Sequence, residues 1–122
     1  MVHTRRLFAL SALLMATHLA VRAQDIDFAL TQANELGVLK FCKSKGFVDD
    51  AAIDLKGKFV DLAGGADPKA MDAARKKGED GIHSNMGIDQ SIAELSNDYI
   101  RVLCESQADL DRAIATRYGI SP

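Results

Sequence analysis

The chain has 122 residues, with 15 Lys and Arg against 17 Asp and Glu, three His, two Cys and no Trp. That length holds one domain of ordinary size. A mildly acidic chain without tryptophan is a poor candidate for a nucleic-acid groove, an anionic membrane surface or a stacking platform for bases.

The N-terminus reads as an export signal. Arg5 and Arg6 precede the apolar run Leu7–Ala16, and Val21-Arg22-Ala23 supplies compact residues for a signal peptidase. The run is too short to span a bilayer, which takes roughly 20 apolar residues. Residues 1–23 are therefore expected to be a secretory signal peptide, and 24–122 a single periplasmic domain. Removing Arg5, Arg6 and Arg22 leaves 12 basic and all 17 acidic residues, so the balance moves from −2 to 12 − 17 = −5. Such a domain has no membrane partner after cleavage and suits a basic protein surface better than nucleic acid.

Four helical segments follow from period and punctuation. The first runs from about Asp25 to Lys45, with Ala29, Ala33, Leu36, Leu39 and Phe41 inward and Gly46 as its stop. Asp49 or Asp50 caps the second, whose buried face is Ala52, Leu55, Phe59, Val60 and Ala63, and Gly64-Gly65 ends it. Asp67-Pro68 starts the third with an N-cap and a proline at the first helical position. The charged run from Arg75 to Gly81 weakens that helix, because Gly78 and Gly81 each cost about 1 kcal/mol inside one. The stretch Gly78–Gly87 is expected to fray, turn or project.

Asp89 is expected to cap the last long segment, with Ile92, Leu95, Tyr99, Leu103 and Ser106 facing inward. Asp109 would restart a further turn that Gly119 stops. No Asn-Gly or Asp-Gly pair joins two strand-like runs. The expected fold class is all-α, a small bundle of four to five helices. Cys42 and Cys104 are the only cysteines. An even count in an oxidising compartment reads as one disulfide, a pair of free thiols being the alternative. A bridge across 62 residues would contribute about 4 kcal/mol on the chain-entropy view.

Catalysis finds little material. His83 is the only histidine beyond the signal, and one histidine with two distant cysteines makes neither a nucleophilic constellation nor a zinc site. Asp49-Asp50 reads as helix capping, and Gly64-Gly65 lacks the lysine of a phosphate loop. No catalytic residue, cofactor or metal is expected, and the chain reads as a binding protein.

The segment Leu39-Lys40-Phe41-Cys42 closes the first helix. The run Leu103-Cys104-Glu105-Ser106-Gln107-Ala108-Asp109-Leu110-Asp111 leads to Arg117-Tyr118 at the end of the last. This layout resembles the immunity proteins of type VI secretion system amidase effectors, family 4. It departs from that pattern at Leu103, where the family usually has a lysine. The resemblance implies a periplasmic helical homodimer that neutralises a peptidoglycan-cleaving cysteine amidase by plugging its groove. Lys76–Gly87 is the segment that suits the plug, with Lys77, Glu79, Asp80, His83 and Asn85 as expected contacts. A periplasmic acid-stress chaperone and a secretion-system pilotin or assembly factor are the alternative readings.

Overall fold

A computed structural model describes residues 27–121. The signal-peptide reading of 1–23 lies outside the described residues. Helix α1 occupies 27–44 of them, and Gly46 follows it with φ 79°. Helix α2 is Asp50–Ala63, capped by the Asp49 side chain, which accepts from the Ala52 N–H. Helix α3 is Pro68–Glu79, and the Asp67 carboxylate accepts from the Ala70 N–H as the Asp-Pro signal requires. Helix α4, Asn97–Tyr118, is the longest, and Gly119 ends it in the left-handed region.

Cys42 and Cys104 form a disulfide that ties α1 to α4, with both residues buried. Around it pack Val38, Ile92 and Ile100, flanked by Phe41, Phe47, Val48 and Leu95. A second cluster joins Leu55 and Phe59 of α2 to Ala115 of α4, with Ile120 folded back against it.

Five expectations need correction. The fold is mostly helical but not all-α. Strands β1 (Ile82–Asn85) and β2 (Ile88–Ser91) pair antiparallel, with Asn85 opposite Ile88 and Ile82 opposite Ser91. The two-residue connection Met86-Gly87 has φ 52° and 77°, positive at both positions as a type I′ hairpin demands. The usual Asn-Gly signal is absent because methionine stands where asparagine is favoured.

Asp89 lies in β2 and caps nothing; the N-cap of α4 is Ser96, whose hydroxyl accepts from the Tyr99 N–H. No restart occurs at Asp109, since α4 is continuous through it. Helix α4 is rotated by about one residue from the expected face. Ile100, Cys104, Ala108, Asp111 and Ala115 point inward, while Tyr99, Leu103 and Ser106 are exposed. The disulfide is the reason. One residue is about 100° of helix, so burying the Cys104 sulfur turns Leu103 toward solvent.

Gly78 does not begin a frayed segment. It is buried inside α3 and meets Gly37 of α1 across a close helix crossing. A Cβ on Gly78 would overlap the Asn34 carbonyl oxygen and lie 2.6 Å from the Val38 nitrogen. A Cβ on Gly37 would overlap the Arg75 carbonyl. The missing side chains let the two backbones touch, which outweighs the helix penalty of glycine at both positions.

Candidate functional site

The close α1–α3 crossing places Asn34 where it can hold the hairpin. Asn34 is 1% exposed, and its Nδ2 donates to the carbonyls of Ala74, at 3.1 Å, and Ile82, at 2.9 Å. Its Oδ1 accepts from the Ser84 N–H at 2.8 Å. Ile82 and Ser84 are the β1 residues whose backbone groups point away from β2, because Asn85–Ile88 is the pair that closes the turn. One buried amide thus acts as a substitute strand along the outer edge of β1, pairing with the Ile82 carbonyl and the Ser84 N–H.

Two further ties fix the hairpin. The Ile92 N–H donates to the Gly81 carbonyl at 2.8 Å, and Lys77 of α3 pairs with Asp89 of β2 at 2.9 Å. Asp89 also accepts from the Ser84 hydroxyl. That hydroxyl bond, then the lysine, hold the Asp89 carboxyl below its ordinary value. The result is a braced hairpin whose tip, Asn85 to Ile88, is exposed. Met86 is 89% exposed and Ile88 73%, two large apolar side chains at the end of a small projection.

The five expected contact residues divide by position. His83 and Asn85 lie two apart on β1, on one face of the ladder, with Gln90 and Ile88 as their partners across the strands. Asp80 is exposed beside them, at the C-cap of α3. Lys77 is exposed but engaged with Asp89, and Glu79 pairs with Arg75 at 2.5 Å and with Lys40 at 3.7 Å. Sequence reasoning missed Met86 and Ile88, although the Gly87 after Met86 is a turn signal. It also missed Asn34, which nothing in a helical period distinguishes from a surface asparagine.

A polar cluster of a different kind sits between α1, α2 and α4. Lys56 is 1% exposed, and its Nζ lies 2.6 Å from Glu35 Oε2, 2.8 Å from Asp111 Oδ1 and 3.1 Å from Gln32 Oε1. The Phe59 ring centroid is 5.3 Å away. Gln107 Nε2 donates to Asp111 Oδ1 at 3.1 Å, and Asp111 Oδ2 is buried without a partner. Burial pushes the Asp111 carboxyl above its ordinary value, more than the hydrogen bond and charge of Lys56 draw it down. A cavity of about 300 Å³ opens onto the cluster between Phe28, Leu62, Leu110 and Ile114.

Two of those residues belong to an exposed apolar stripe along α4, formed by Tyr99, Val102, Leu103, Leu110, Ile114 and Tyr118. Arg101, Glu105, Asp109 and Arg112 fall on another side of the helix. The helix therefore has a core face, a charged face and an apolar face exposed to solvent. Among the described residues no helix is long and apolar enough to cross a membrane. No family model, curated protein or solved structure matches the chain.

Proposed function

We propose that this is an exported inhibitor that binds a protein partner by inserting the Met86–Gly87 hairpin tip into the partner's groove. The partner is a cysteine amidase of the type VI secretion class, which the resemblance suggests. The observation that carries the reading is Met86. A non-glycine residue in the left-handed region costs about 1–2 kcal/mol, and asparagine would ease that cost. A hydrophobic side chain held there, and held outward, is a burden on the free protein that a bound partner can offset.

The mechanism is one of steric blockade. Braces from Asn34, Gly81 and Lys77 hold the hairpin in one conformation, so little ordering entropy is lost when it docks. Met86 and Ile88 supply the desolvated centre of the contact, and His83, Asn85 and Asp80 its polar rim. We place the homodimer contact on the exposed α4 stripe, which lies on a different element from the hairpin and leaves the tip free.

The test mixes the purified protein with the amidase and follows release of peptide cross-links from peptidoglycan. Stoichiometric inhibition is expected. Replacing Met86 and Ile88 together with aspartate should weaken it by about 1,000-fold, taking each as a hot spot of about 2 kcal/mol, with an unchanged far-UV spectrum. Inhibition that survives the double replacement, or never appears, would overturn the reading.

A further inference from the structure

The cluster around Lys56 carries chemistry that an inhibitor has no need of. Three ionisable groups, one basic and two acidic, meet in a site where the Lys56 and Asp111 side chains are 1% and 2% exposed. Written with every group charged, the cluster is −1, and one carboxylate oxygen has no hydrogen-bond donor. An arrangement of that kind is expensive to bury. It becomes neutral if Asp111 keeps its proton and Lys56 pairs with Glu35 alone.

We propose that Lys56 and Asp111 condense into an isopeptide bond that cross-links α2 to α4, with Glu35 as the proton carrier. Each group has a place in the step. Glu35 Oε2, 2.6 Å from Nζ, takes a proton from the ammonium. The nitrogen lone pair attacks Cγ of the protonated Asp111, whose Oδ1 is already 2.8 Å from Nζ. Gln107 Nε2, donating to that same Oδ1, steadies the negative charge that develops on it. Glu35 hands its proton to Oδ2, and the Cγ–Oδ2 bond breaks with loss of water. Glu35 then takes the surplus proton from the nitrogen. The amine and the acid become an amide and one water, Glu35 ends protonated, and no oxidant or co-reactant is required.

The bond would resolve what the unreacted cluster leaves open. The oxygen that departs is the one without a partner. The oxygen that stays keeps its bond from Gln107, and the new amide N–H lies within reach of Gln32 and Glu35. The burial of Lys56 and Asp111 limits solvent at the reacting atoms, and the adjoining cavity gives the water a way out. The cross-link would join a different helix pair from the disulfide.

The experiment is peptide mapping by mass spectrometry on the folded chain, incubated at neutral pH, then reduced and digested. A branched species is expected in which the peptides carrying Lys56 and Asp111 are joined with the mass of one water missing. Glu35→Gln should fold, by far-UV circular dichroism, and show no branched species. Lys56→Arg, which keeps a cation in the cluster, should also lack it. Recovery of Lys56 and Asp111 in separate, unmodified peptides from folded wild-type protein after prolonged incubation would overturn the proposal. So would a branched species that persists at full yield in Glu35→Gln, for the role of Glu35.

Discussion

Gly78→Ala tests whether backbone contact between α1 and α3 supports the hairpin. Helix propensity by itself makes alanine the better residue by about 1 kcal/mol. The crossing reverses that sign. The new Cβ would stand 2.6 Å from the Val38 nitrogen and against the Asn34 carbonyl, both backbone atoms with no rotamer to change. Reaching an ordinary contact of 3.4 Å needs at least 3.4 − 2.6 = 0.8 Å of separation between the helices. Overpacking of this size costs about 1–3 kcal/mol. The same movement stretches the Asn34 bonds to Ala74, Ile82 and Ser84, each worth about 1 kcal/mol. Taking the equivalent of two of those bonds as lost, and subtracting the propensity gain of about 1 kcal/mol, leaves a net loss of about 2–4 kcal/mol, a large share of a typical stability of about 5–15 kcal/mol. Urea unfolding followed by far-UV circular dichroism reads it as a fall in midpoint of roughly 1–2 M, at a slope near 2 kcal/mol/M. The Ser84 amide should lose hydrogen-exchange protection at the same time. A Gly78→Ala protein as stable as wild type, with Ser84 still protected, would refute the crossing as the support of the hairpin. Gly57 of α2 is the control: a Cβ there meets nothing within 4 Å, so Gly57→Ala should stabilise by about 0.4–1 kcal/mol.

Other outcomes separate stability from function. Met86→Asn should raise stability by about 1 kcal/mol, because asparagine accepts the left-handed conformation more readily, while weakening inhibition of the amidase; unchanged inhibition in a titration would remove Met86 from the contact. The Asp89 carboxyl, held down by Ser84 and Lys77, should titrate in NMR with a midpoint below 3.8. Its folded value lies below its unfolded one, so its stabilisation is present above the ordinary carboxylate range and is lost as pH falls through the depressed value. Hairpin amide protection should fall in that acidic window, and a midpoint at or above 3.8 would contradict the clamp. Reducing Cys42–Cys104, which closes 62 residues, should cost about 4 kcal/mol in urea unfolding, and a loss under 1 kcal/mol would show that packing alone holds α1 on α4. Leu110→Asp should give a monomer in sedimentation if the α4 stripe carries the homodimer contact, with folding intact because Leu110 is exposed.

Local chemistry determined the parts of this fold that depend only on neighbours in sequence. Asp49 and Asp67-Pro68 start helices because a carboxylate caps free N–H groups wherever it stands, and Gly119 stops one because it adopts the left-handed conformation without strain. The pairing of the only two cysteines was legible from their count alone.

Tertiary structure decided the rest. Leu103 and Cys104 are neighbours, and either could have faced inward; the disulfide to α1 chose Cys104 and left an apolar stripe in solvent. Gly78 read as a helix breaker because its partner, Gly37, lies 41 residues earlier (78 − 37) and becomes visible only when the helices cross. The hairpin carries a methionine at its turn and rests on Asn34, a side chain from α1 that supplies the hydrogen bonds a third strand would have made. Lys56, Glu35 and Asp111 lie far apart in sequence on three helices, and no helical period brings them together. Only packing removes the water between them and sets the Lys56 Nζ against both carboxylates.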